Sequence, residues 1–162
     1  MVCICLIQKE NIYTAMMNQP AIDPSDFLHI LKTCQTIAVV GLSPKAYRDS
    51  HEVAEYMQSQ GYRIVPINPV AAASNTPILG EKVYASLLDA AKVEKIDLVD
   101  CFRNSEDIPP IAAEAVHIHA KVLWMQLGIE NESAKAEAAA AGLEVVQNHC
   151  LLIEHKRLKH LL

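Results

Sequence analysis

The stretch Ile37-Ala38-Val39-Val40-Gly41-Leu42-Ser43-Pro44-Lys45-Ala46 decides the fold. An unbroken apolar run rich in β-branched residues suits a strand buried on both faces, and Gly41 ends it. A helix start follows at Asp49-Ser50-His51-Glu52. There Asp49 is expected to accept from backbone amides and Glu52 to reach back, as in a capping box. Val53, Tyr56 and Met57 then share an apolar face, and Gly61 supplies a left-handed stop.

The same strand, turn and helix recur on either side. Upstream, Asp23-Pro24-Ser25-Asp26 is a helix-start signal, and Phe27, Ile30 and Leu31 share one face. Downstream, Tyr62-Arg63-Ile64-Val65-Pro66-Ile67 reads as a second strand. Pro66 cannot donate a ladder bond and must sit at an edge, an end or a bulge. Residues 70–80 read as a loop of small residues, 82–84 as a short strand and 86–92 as a short helix. Ile96 to Phe102 is the next strand, and Ser105 is expected to cap a helix with Pro109 and Pro110 in its first turn. Val122-Leu123-Trp124-Met125 and Leu143-Glu144-Val145-Val146 are further strands. They flank an Ala-rich helix over 132–141, capped by Asn131 and stopped by Gly142, and a terminal helix follows Cys150. Residues 1–22 show no clear period and read as an arm before a single domain at 23–162. Alternating strands and helices predict an α/β, Rossmann-like three-layer α/β/α sandwich with a mostly parallel sheet of five to six strands.

Composition narrows the function classes. The 51% hydrophobic and 20% charged residues exclude a disordered chain, and 5% aromatics leave aliphatic side chains to fill the core. A net charge of −5 argues against nucleic acid or an anionic membrane as partner. No run reaches about 18 uninterrupted apolar residues, so no membrane span is expected. Five cysteines without C-x-x-C spacing fit reduced thiols and a cytoplasmic setting. The first residues lack a basic flank and a small-residue cleavage site, so no signal peptide is expected. The histidines show no metal spacing, and Ser43 lacks the G-x-S-x-G elbow of a hydrolase.

Open parallel sheets bind ligands beyond the carboxyl ends of their strands, so the residues after each strand are the candidates. Gly41 to Ala46 has the outline of G-x-G-x-x-G/A, with Ser43 in the second glycine slot. Its amides, backed by a helix dipole, would hold a pyrophosphate; a plain tight turn fits the same residues. Arg48 and Ser50 stand at the helix entrance, where an arginine forks onto phosphate oxygens or lies solvated. Asn68-Pro69 ends the second strand, where NAD sites carry an acid for the ribose diol. The neutral Asn68 favours a ligand with an additional phosphate, although Asn-Pro is also a turn signal. Phe102 could cover a base and Arg103 bind phosphate, with core packing the plainer role for Phe102. Trp124 and Gln126 end the next strand. Cys150, after Asn148-His149, is an activated thiol or an inert buried one.

Taken together, Ile37 to Ser43, Arg48, Gly61 to Pro69, Gly80 to Tyr84, Asp97 to Arg103 and Leu123 to Gly128 resemble the small stand-alone CoA-binding proteins. Those are similar to the N-terminal CoA-binding domain of the succinyl-CoA synthetase alpha subunit. The resemblance spans about residues 24–158. It implies coenzyme A or acyl-CoA across the strand ends, with phosphates along Gly41, Leu42, Ser43, Pro44 and Lys45. It places Arg48 and Ser50 near phosphate, Asn68 and Pro69 beside the nucleotide, Phe102 and Arg103 along the adenine–pantetheine path, and Trp124 with Gln126 near the site. Where the family tends to have an acid before an Arg-Cys pair, this chain has Asn148-His149-Cys150. The expectation is a CoA-binding module without catalysis of its own, with no nucleic-acid or membrane partner. Whether it works as a monomer or homodimer, or with another protein, stays open. The rival readings are a component of an NDP-forming acyl-CoA ligase and an NAD(P)-binding protein; the chain has no room for a phosphohistidine or substrate domain. A third reading is a sensor or scaffold whose partner choice depends on the ligand.

Overall fold

The computed structural model describes residues 23–162, so the arm expected over 1–22 lies outside the described residues. The elements run α1 (Pro24–Thr33), β1 (Thr36–Val40), α2 (Asp49–Ser59), β2 (Arg63–Ile67), α3 (Pro69–Ala73), α4 (Leu87–Ala90) and β3 (Leu98–Cys101). Then come α5 (Ile108–His117), β4 (Val122–Met125), α6 (Glu132–Ala140), β5 (Glu144–Val146) and α7 (Leu151–Leu158). The strands form a five-stranded sheet in the order β2-β1-β3-β4-β5, parallel throughout. The expected Rossmann-like α/β sandwich is therefore what forms.

Successive strand residues point to opposite faces, and each face has its own core. Ile37, Val39, Leu98 and Trp124 pack under α1, α2 and α7, against Phe27, Ile30, Met57 and Leu151. Ala38, Val40, Val99 and Leu123 pack under α4, α5 and α6, against Leu87, Ile108, Ala112 and Ala138. Each large aliphatic side chain withdrawn from water contributes about 1.5–3 kcal/mol. The alanines of α5 and α6 let those helices lie close to the sheet. No helix among the described residues is long and apolar enough to cross a membrane.

Several local signals act as read. Asp23 accepts from Ser25 N at 2.9 Å, and Asn131 accepts from Ala134 N at 2.9 Å. Pro66 lies in β2, an edge strand, and its carbonyl accepts from Tyr84 N at 2.9 Å on the outer side. Other signals act differently. Asp49 does not cap α2: it is already helical, and the extended Arg48 is the cap, its carbonyl accepting from Glu52 N at 3.1 Å. Ser105 opens a 3-10 turn instead of capping a helix, and its hydroxyl accepts from Glu130 N. Residues 70–80 are not all loop, because Asn68-Pro69 starts α3. Residues 82–84 form no ladder strand; Tyr84 makes one isolated parallel bridge to Ile67.

Candidate functional site

The strand order reverses between β1 and β3: the chain leaves β1 toward β2 on one side and returns to β3 on the other. The loops that follow these two strands diverge and open a crevice, the usual ligand position in such sheets. Gly41, at φ +86°, makes the turn out of β1 and passes against the Phe102 carbonyl. Phe102 N donates to Val40 O at 2.9 Å, which fixes the two loops side by side.

The turn after β1 is knitted by its own side chains. Ser43 N donates to the buried Ser50 hydroxyl at 3.0 Å, and Lys45 N donates to the Ser43 hydroxyl at 3.1 Å. His51 Nδ1 donates to the Ser43 carbonyl at 2.9 Å. The amides of Ser43 and Lys45, expected to face a phosphate, thus already have partners. The side chain of Leu42 is fully buried in the core. Pro44, Lys45 and Arg48 are exposed at the rim. Among the described residues no salt bridge ties the Lys45 ammonium or the Arg48 guanidinium to a carboxylate. Arg48 also lies over the Tyr47 ring, 5.8 Å from its centroid.

Asn68 spends both ends of its amide. Its Oδ1 accepts from Val70 N at 3.0 Å and Ala71 N at 3.1 Å, capping α3, and its Nδ2 donates to Leu42 O at 2.9 Å. The residue therefore ties the β1 and β2 loops together and shapes the wall, with Pro69 exposed beside it.

Three recesses run along the strand ends. One of about 600 Å³ is bounded by Gly41, Asn68, Pro69, Leu87, Arg103 and Ile111. One of about 370 Å³ holds Ser43, Lys45, Arg48, Asp49, Ser50 and Phe102. The largest, about 1100 Å³, includes Asp49, Phe102, Arg103, Gln126, Cys150 and Ile153. Gly41 and Ser43 border the first two, Phe102 the last two, and Arg103 the first and third, so the recesses form one cleft. The Arg103 guanidinium is half exposed and reaches Asp107 at 3.4 Å. These sizes match or exceed the usual range for small-molecule sites.

Two residues at the end of β4 part company. Trp124 is fully buried, its indole N–H donating to His149 O at 2.8 Å and its ring 5.4 Å from that of Phe27. It points to the α1 face and supports the cleft from behind instead of lining it. Gln126 does line the largest recess, and its Nε2 donates to Asp100 Oδ1 at 2.7 Å. Asp100 is wholly buried, and its Oδ2 has no partner among the described residues. Burial pushes its carboxyl up to about 7, against the pull of the Gln126 bond. Asp100 is not among the site residues expected above, and its signal in the sequence is an acid inside the buried run Leu98-Val99-Asp100-Cys101. Cys150, partly buried, caps α7 without a side-chain hydrogen bond. Burial raises its thiol, the nearby Ile153 and Leu152 amides favour the thiolate, and the charges of Asp100 and Asp49 oppose it.

Comparison with known proteins agrees with this geometry. A protein from Bacillus subtilis called uncharacterized protein YneT is 37% identical over 131 residues, covering 81% of this chain and 93% of its own. A hypothetical protein from Pyrococcus horikoshii OT3 superposes with a TM-score of 0.81 at 35% identity, over 88% of this chain and 97% of that one. Cell-free ID.343 from Thermus thermophilus gives 0.79 at 33% identity, over 85% and 99%. The family model described as a CoA binding domain matches residues 35–156, which include every strand and the whole cleft just described. With three-quarters of its length inside that match, the chain belongs to the CoA-binding domain family.

Proposed function

We propose that the chain binds coenzyme A, or an acyl-CoA, along the strand-end cleft and acts as a binding module without catalysis of its own. The observation that carries this reading is the order of surfaces along one continuous cleft. A recess walled by Pro69, Leu87 and Ile111 leads to a cationic middle at Lys45, Arg48 and Arg103, and then to a long recess with Phe102, Val53 and Ile153. Coenzyme A has the same order of chemistry: a purine nucleoside, a cluster of phosphates, and a mostly neutral pantetheine arm. Planar guanidinium groups suit phosphate oxygens better than point charges do.

The end of β2 supports this choice over NAD. The diol of an NAD ribose calls for an acidic acceptor there. Asn68 is neutral, and its carbonyl oxygen is already used by two amides of α3. Family membership supports the same ligand. Calorimetric titration with CoA, dephospho-CoA and NAD tests the reading. CoA is expected to bind one per chain, dephospho-CoA more weakly and NAD least. Binding of NAD alone, or of none of the three at millimolar ligand, rejects it.

A further inference from the structure

Among the described residues, Gln126 is the one buried polar side chain on the wall of the largest recess, with 4% of its surface exposed. Its backbone is held on both sides: its N–H donates to Cys101 O at 3.4 Å, and its carbonyl accepts from Ile129 N at 3.0 Å. Its Nε2 donates to Asp100 Oδ1 at 2.7 Å. A carboxylate oxygen can only accept, so this bond turns the amide nitrogen inward and fixes which end of the amide remains. The remaining end, Oε1, has no hydrogen-bond partner among the described residues and is not sealed from the recess. Asp100 makes no other side-chain hydrogen bond, and its Oδ2 is buried without a partner among the described residues. An acid buried in this way calls for an explanation, and the only polar group it touches is the Gln126 amide. In a cleft with apolar walls, a few fixed polar groups set how a ligand lies.

Resting on the CoA reading above, which runs the pantetheine arm through this recess, we propose that Gln126 Oε1 accepts an amide N–H of that arm and that Asp100 is a positioning residue that keeps the oxygen turned outward. The arm carries two amide N–H groups, and a buried carbonyl oxygen without a partner is the complement of either. The exposed carboxylates of Asp49, Glu52 and Glu106 on the same recess are acceptors as well. The recess therefore favours an arm that donates. Without Asp100 the Gln126 amide is free to turn and present its NH2 group, which repels an N–H donor.

The test titrates CoA and adenosine 3′-phosphate 5′-diphosphate into the full chain by calorimetry. The second ligand keeps the nucleotide and the phosphates and lacks the arm. Gln126→Met, close in size and without the amide oxygen, is expected to narrow the affinity advantage of CoA over the truncated ligand by about tenfold, because the arm's N–H goes unpaired. Asp100→Ala is expected to narrow it as well, and Asp100→Asn, which keeps an acceptor for Nε2, to restore most of it. A merely structural role would weaken both ligands alike, and that result overturns the proposal. An unchanged advantage in Gln126→Met overturns it too, and Asp100→Asn as weak as Asp100→Ala overturns the positioning role. NMR on the parent complex decides the contact even where the variants fail to fold. Cross-relaxation between the Gln126 side chain and an arm amide proton is expected, and its absence overturns the contact. CoA bound without that signal refutes the Gln126 assignment alone, whereas no binding of CoA refutes the CoA reading as well.

Discussion

A Cβ on Gly41 would stand 3.0 Å from the Phe102 carbonyl oxygen and 3.1 Å from Arg103 Cδ. The loops on the two sides of the strand-order reversal thus touch through a position where any side chain would press on a neighbouring carbonyl, at a φ of +86° that L residues rarely adopt. Gly41→Ala is expected to cost about 1–3 kcal/mol of stability from backbone strain and the displaced carbonyl together. It should also weaken CoA, since Phe102 and Arg103 must shift. Urea unfolding and calorimetry on the same variant check both, and unchanged values in both would contradict the tight pass.

Asn68 separates a structural from an electrostatic contribution. Asn68→Ala removes the α3 cap and the tie to Leu42 and should cost about 1–2 kcal/mol. Asn68→Asp keeps an acceptor for the Val70 and Ala71 amides but loses the donor to Leu42 and adds negative charge beside the cleft. It should lower affinity for CoA more than for NAD. An equal change for both ligands would deny Asn68 any part in the choice.

Lys45 and Arg48 are exposed at the rim, away from the buried core. Removing either should leave stability nearly unchanged, while each loss of a phosphate contact weakens CoA about tenfold. The affinity of each variant should also depend less steeply on salt, because one screened attraction is gone. Titration at two ionic strengths reads both effects; full affinity in the double variant would place the phosphates elsewhere.

Asp100 makes stability depend on pH in a definite direction. Its folded carboxyl keeps a proton up to about 7, whereas the unfolded group releases it near 3.8. Between those values the folded state binds more protons, so raising the pH through this window removes stability, and the loss is complete above it. The largest possible effect is about 4 kcal/mol. Asp100→Asn cannot ionise and should unfold at higher urea than the parent at pH 8, with a smaller difference at pH 4.5. Parallel curves for the two proteins at both pH values would show that the carboxyl does not titrate as described.

The sequence made the layers legible because burial on both faces leaves continuous β-branched runs such as Ile37 to Val40, and because Gly61, Asn131 and Gly142 act locally. What it left hidden depends on long-range geometry. Arg48 and Asp49 are adjacent candidates for one cap, and the backbone conformation of the loop decides between them. Trp124 was placed correctly at a strand end, but which face it takes follows from the sheet's pleat, and that face is the core. Ser50, already in α2, reaches back to Ser43 seven positions earlier and takes an amide that a linear motif assigns to phosphate.

The central claim, that coenzyme A lies along the strand ends on both sides of the β1/β3 reversal, is tested most directly by amide NMR during a CoA titration. The account predicts shifts at Gly41, Ser43, Arg103 and Gly128, with none in the recess bounded by Lys92, Ile96 and His119, which borders the start of β3 rather than its end. Shifts confined to that other recess, or no shifts at saturating CoA, would contradict it.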